Sequence, residues 1–186
     1  MQMAESYGLE RKFCRLKGSV ALGDDLVVEG YASLFGVKDT GGDIVERGAY
    51  TASLEMLKKA GRSVKMLWQH RPEEPIGTWD EVRETEKGLY VKGRLLPDVA
   101  RAREAAALLK AGAIDGLSIG YRTLRAQKNS KGQRHLHELE LWEVSLVTFP
   151  MLPDARVGAK GSEPVDALLR DIARALNAAG ARLANT

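Results

Sequence analysis

A single cysteine, Cys14, occurs in the 186 residues, which excludes an internal disulfide and any cysteine-built metal cluster. Set in RKFCRL, it reads as a small core or edge residue rather than a nucleophile. Long apolar runs are also missing. Nothing approaches the ~20 consecutive residues of a membrane-spanning helix, and the N-terminus MQMAESYGLERK lacks the apolar centre of a signal peptide. A cytoplasmic protein with no membrane association is expected. Neither sign of charge dominates: 28 Lys and Arg stand against 25 Asp and Glu, a net charge of +3. The basic residues are scattered and not interleaved with aromatics, which argues against nucleic acid as a partner. Metal-ligand clusters, phosphate-cradling glycine loops, dinucleotide fingerprints and internal repeats are absent as well, so neither a cofactor nor a metal is expected.

What is present suits one globular domain, with 44% hydrophobic and 28% charged residues. Residues 11–35 alternate imperfectly between apolar and polar types and break at Gly23-Asp24-Asp25, which predicts two strands and a turn. A polar loop, VKDTGGDIVERGAY, leads into a helix over 49–59 with Tyr50, Leu54 and Leu57 on one face and Gly61 as its stop. The run 64–68 reads as a buried strand that delivers His70, and the two prolines of RPEEPIG end it. Residues 78–96 predict a hairpin reversing between Glu84 and Gly88. Pro97 and Asp98 then supply a stop and an N-cap for the helix VARAREAAALLKAG, closed by Gly112. A second hairpin spans 114–149 and turns at Asn129-Ser130-Lys131-Gly132, where Asn and Gly tolerate positive φ. After a turn-rich linker, Val165, Leu168, Leu169, Ile172 and Leu176 recur at helical spacing. The expected architecture is mainly β with helices (α+β): a closed or nearly closed antiparallel β-barrel of six or more strands surrounded by helices. Residues 1–157 would form the domain, and 158–186 a linker and C-terminal amphipathic helix.

Three residue types in this chain can make a nucleophilic site: a hydroxyl, an imidazole and a carboxylate. Ser118 lies in DGLSIGY between Gly116 and Gly120; it is either a nucleophile or a polar residue on the solvent face of a strand. His70 is either a general base at a strand end or an ordinary half-exposed histidine. Glu143 sits among Leu141, Trp142, Val144 and Leu146, where a carboxylate is costly unless paired. It either orients an imidazole or forms a buried ion pair with an arginine such as Arg122. A hairpin turn centred between Ser130 and Lys131 sets Ser118 opposite Glu143, on one face of the sheet. Apolar parity changes between Leu141 and Trp142, which suggests a bulge; a one-residue shift makes Glu140 the alternative. His135 and His137, near the turn, are spare candidates for a third member.

The ordered blocks EGYASLFG, GDIVERGAY, KMLWQH, IGTW, GLYVKGRLL, GLSIGY and LWEVSLVTFPMLPDA resemble the prohead proteases of HK97-like tailed phages over 29–157. Gene transfer agents carry similar proteases, and the family is similar to herpesvirus assembly proteases, β-barrels with helices around them. The resemblance implies a serine endopeptidase that trims scaffold or capsid-protein segments inside the immature head. It assigns the catalytic histidine to His70, the nucleophile to Ser118 and the carboxylate to Glu143, with His137 an alternative because the herpesvirus enzymes use a second histidine. It further implies a homodimer whose substrate is the major capsid protein or scaffold. The sequence does not identify the backbone donors of an oxyanion hole; the turn after Phe149 is a candidate place for them. The competing functions are a non-catalytic capsid assembly chaperone or scaffold on the same fold, and a plain β-barrel binding domain.

Overall fold

A computed structural model describes residues 10–14, 21–22, 26–39 and 41–148. Its elements run β1 (Glu10–Cys14), β2 (Ala21–Leu22), β3 (Val27–Leu34), β4 (Asp43–Val45), α1 (Thr51–Lys59), β5 (Lys65–Trp68), β6 (Arg71–Glu84), β7 (Gly88–Leu95), α2 (Ala100–Lys110), β8 (Gly116–Lys128) and β9 (Arg134–Val147). The strands form one sheet in the order β1-β8-β9-β5-β6-β7-β3-β2, with β4 also on β9. The sheet curls until β3 comes near β1 and β8. Among the described residues no ladder pairs these ends, so the result is a partly curled sheet rather than a closed barrel.

Nor is it purely antiparallel. β4 and β5 both run parallel to β9, on the same edge: β4 lies beside Arg134 to Leu136, and β5 beside Glu143 to Leu146. Two parallel segments cannot be joined by a tight turn, and α1 makes the excursion between them. The gap it leaves on β9 is closed by the chain entering that helix. Leu139 donates its N–H to Ala49 O at 2.8 Å, and Leu141 donates to Ser53 Oγ at 2.9 Å. Both of these backbone donors are satisfied without a strand beside them. The GDIVERG block fixes the start of the excursion, because Asp43 takes two bonds from the Arg134 guanidinium, at 2.9 and 2.7 Å.

α1 begins two residues later than the sequence suggests, with Tyr50 at its N-cap. The carboxylate of Glu84 serves that end, accepting from Tyr50 N at 2.8 Å and from the Thr51 hydroxyl at 3.1 Å. An anion at a helix N-terminus is favourable. Tyr50 is buried, and Leu54 and Leu57 pack on the core. α2 turns Ala102, Ala105, Ala106 and Leu109 inward. Its N-cap is Val99 with no side-chain cap bond, so Asp98 does not cap it; Gly112, at φ +68°, does end it.

Two further differences concern strands. Residues 11–35 supply three strands rather than two, because β1 pairs with β8 while β2 pairs with β3. RPEEPIG is the start of β6, not a loop. Its prolines sit where the β5–β6 register slips, with Leu67 opposite Pro75 and Trp68 opposite Arg71. Proline lacks a ladder donor and is tolerated at such irregularities. No helix among the described residues is long and apolar enough to cross a membrane. The linker and amphipathic helix expected over 158–186 lie outside the described residues.

Candidate active site

His70 is delivered by a two-residue turn. Trp68 pairs with Arg71, so only Gln69 and His70 connect β5 to β6. Both have positive φ, +53° and +61°. A tight hairpin needs that geometry, but it suits Gly and Asn, and costs other residues about 1–2 kcal/mol each. Neighbouring contacts hold it in place. Gln69 donates its N–H to Leu146 O at 3.0 Å, extending the β5–β9 ladder past its last pair. The Gln69 amide donates to Thr148 Oγ1 at 2.8 Å and accepts from Thr148 N at 3.4 Å. His70 donates its own N–H to Ser145 Oγ at 3.1 Å.

Ser118 sits on β8, where residues from Gly116 through Tyr121 are all buried. It is fully buried, which removes the reading of a serine on a solvent face. Its partner across the ladder is Ser145, and the partner of Glu143 is Gly120. The pairing therefore differs by two residues from the sequence expectation of Ser118 opposite Glu143. Two offsets explain the difference. One is the bulge suspected beside Leu141, with Trp142 as the extra, exposed residue; the other is the turn itself, where Lys128 pairs with Arg134 and so centres the hairpin on Lys131, while the slips at Leu124 and His137 cancel. A shift of two keeps Ser118 and Glu143 on the same face of the sheet.

The imidazole of His70 lies between them. Its Nε2 is 2.6 Å from Ser118 Oγ, and its Nδ1 is 2.5 Å from Glu143 Oε1. An ionised carboxylate only accepts, so Nδ1 carries the proton and Nε2 accepts from the serine hydroxyl. The second carboxylate oxygen, Oε2, accepts from Ser145 Oγ at 2.6 Å. Glu143 is nearly buried, and these bonds offset the cost of removing it from water. Room for its side chain comes from Gly120: a Cβ there would stand 2.2 Å from Glu143 Oε1.

The other candidates fall elsewhere. Glu140 faces Arg122 and pairs with its guanidinium at 2.7 Å, so the arginine weighed for Glu143 belongs to Glu140. His135 pairs with Glu46 at 2.6 Å. His137 lies on β9 toward the hairpin turn, beyond the Tyr121–Leu141 pair and away from Ser118. The turn after Phe149, where oxyanion donors were expected, lies outside the described residues. Among the described residues no group of three or more His, Cys, Asp and Glu side chains could hold a metal ion. The sequence reading does not single out Ser145 or the steric role of Gly120. Strand alternation from Glu143 to Ser145 in WEVSLV was the available signal for the first; nothing in the sequence tied Gly120 to a particular carboxylate.

A constellation of this kind recurs on unrelated folds, so its ancestry rests on comparison. The model of the family described as Caudovirus prohead serine protease matches residues 16–167. The prohead protease of Enterobacteria phage HK97 is 34% identical over 149 residues, covering 78% of this chain and 65% of that protein. The capsid polyprotein of Pseudomonas phage PAJU2 is 35% identical over 102 residues, covering 50% of this chain and 15% of the polyprotein. The chain thus spans less than two thirds of each of these relatives. Among solved structures, the capsid assembly protease of bacteriophage T4 superposes with a TM-score of 0.60 at 15% identity, covering 76% of this chain and 98% of that one. The varicella-zoster virus protease superposes with a TM-score of 0.39 at 15% identity, covering 68% of this chain and 59% of that one.

Proposed function

The chain belongs to the caudovirus prohead serine protease family, and from that premise we propose that it is a serine endopeptidase cleaving scaffold or capsid-protein segments during maturation of a phage-like head. The observation that carries this is the imidazole of His70 bonded on one side to Ser118 Oγ and on the other to Glu143 Oε1. In the proposed reaction Ser118 Oγ attacks the scissile carbonyl carbon while His70 Nε2 takes its proton. The C–N bond breaks as His70 returns that proton to the leaving amine. Water, deprotonated by the same nitrogen, then hydrolyses the acyl-serine. Glu143 holds the imidazole in the tautomer that leaves Nε2 free, and stabilises the imidazolium. Ser118 is wholly buried, so cleavage requires the surrounding chain to open for the substrate. The proposed setting is the interior of the immature capsid, and the proposed assembly is a homodimer. Sedimentation that finds a fully active monomer would remove the dimer.

The test is mass spectrometry of the purified protein incubated with the capsid protein of its own particle. New N-termini that disappear with Ser118→Ala are the expected result. A capsid protein left intact under assembly conditions, together with assembly that still depends on this chain, would overturn the protease in favour of a chaperone.

A further inference from the structure

Ser145 is fully buried, and its hydroxyl makes two bonds at once. It donates to Glu143 Oε2 at 2.6 Å and accepts the His70 N–H at 3.1 Å. We infer that Ser145 is a positioning residue of the serine site, fixing the carboxylate of Glu143 and the backbone of His70 through one oxygen. This rests on the protease reading and extends it to a fourth side chain.

The first half of the argument concerns the carboxylate. The last torsion of a glutamate is broad and nearly two-fold, so the side chain alone does not set which way its oxygens point. Oε1 faces the imidazole, and a bond to Oε2 on the other side stops the group from swinging away. Gly120, opposite Glu143, gives the carboxylate space but no polar partner, so it cannot perform that task. The second half concerns the turn. His70 is held at a φ of +61° that its side chain disfavours, and its buried N–H needs an acceptor. Ser145 Oγ supplies one. Because Ser145 stands directly across the ladder from Ser118, the two hydroxyls share a face and flank the site. One is bonded to the imidazole, the other to the carboxylate that orients it.

The alternative is a buried serine that merely satisfies a backbone donor. The same protein contains such a case: Ser53, also buried, accepts Leu141 N at 2.9 Å, a bond that reaches none of the three site residues. Ser53→Ala is therefore the matched control for Ser145→Ala.

The experiment measures phosphorylation of Ser118 by diisopropyl fluorophosphate on the full chain. The Oγ–P bond forms, the P–F bond breaks, fluoride leaves, and the serine proton passes to His70. For Ser145→Ala we expect the maximal inactivation rate to fall about 10- to 100-fold, part of the ~10²–10⁴ that acid–base assistance contributes, with the reagent's half-saturation concentration unchanged. Ser53→Ala should lower the melting temperature while leaving the inactivation rate unchanged. A second readout does not depend on reactivity: the far-downfield proton NMR signal of the His70 Nδ1–H bond should weaken in Ser145→Ala and persist in Ser53→Ala. A Ser145→Ala protein that reacts at the parent rate and keeps the downfield proton would overturn the inference. If the parent itself fails to react, the protease reading falls, while the NMR comparison still decides whether Ser145 holds the pair.

Discussion

Two hairpin turns in this molecule are built from opposite materials. The β8–β9 turn uses Asn129, Ser130, Lys131 and Gly132. Asn129 Oδ1 accepts from Lys131 N and Gln133 N, both at 3.0 Å, and Gly132 takes the positive φ, at +75°. That is favourable turn chemistry in an exposed place. The β5–β6 turn uses Gln69 and His70, both left-handed and neither Gly nor Asn. It survives because Leu146, Thr148 and Ser145 each hold part of it. Local preference governs the exposed turn. Where the His70 imidazole is bonded to Ser118 and Glu143, tertiary contacts overrule it, as strained backbone generally requires.

The strongest way to break this contrast is to remove what the strained turn serves. Glu143→Gln keeps side-chain volume but removes the charge that stabilises the imidazolium and favours the wrong tautomer, so turnover should fall by up to ~10⁴-fold. Glu140→Gln, made in parallel, should leave turnover nearly unchanged, because its carboxylate is engaged by Arg122. Cleavage assays with melting curves on both variants decide this; an inactive, folded Glu140→Gln beside an active Glu143→Gln would reverse the assignment. Next in size is Gly120→Ala. Its Cβ would stand 2.2 Å from Glu143 Oε1, so the carboxylate must shift. A misplacement of ~1 Å at a reacting centre costs on the order of 10²-fold. A rate loss should therefore appear in an otherwise folded protein, and parent-like activity would show that the carboxylate position is unimportant.

These expectations rest partly on what sequence could show and partly on what it could not. The convergence of Ser118, His70 and Glu143 was legible because each combines a reactive residue type with a recognisable block, GLSIGY, KMLWQH or LWEVSLV. The two described helices, α1 and α2, were legible through periodicity and their glycine stops. Which strands pair was not. Alternation marks a strand, but it says nothing about its neighbour, and the parallel placement of β4 and β5 on β9 depends on a helix spanning a gap. Register failed for a related reason. Each bulged residue moves every later pair, so a turn centred on Lys131 and the extra residue Trp142 together displaced the partner of Ser118 from Glu143 to Ser145. RPEEPIG misled because proline is read as a stop, whereas an irregular stretch of strand admits it.

A smaller effect separates the two duties of Gln69. Gln69→Ala removes both bonds to Thr148, which should cost about 1–2 kcal/mol and lower turnover several-fold by loosening His70. Gln69→Gly loses the same bonds but relieves the left-handed backbone, recovering about 1 kcal/mol. Stability should therefore return in the glycine variant while the rate does not. If rate and stability rise together, the side-chain anchor is not what positions the histidine.

The mildest test sits at the other turn. Gly132 has a φ of +75° with nothing within 4 Å of the place a Cβ would take, so Gly132→Ala meets backbone strain and no clash. Strain of that kind costs about 1 kcal/mol, which in a chain of this size lowers Tm by about 2–4 °C. The turn lies at the far end of β8 and β9 from the Ser118–Ser145 pair, and three ladder irregularities intervene. Bulges interrupt the regular ladder, so a small distortion at the tip should be absorbed before it reaches the site. Turnover measured well below Tm should match the parent. A variant that loses rate in proportion to its stability would show that the long hairpin transmits strain along its whole length, and that the relaxed turn is as much a part of the site's support as the strained one.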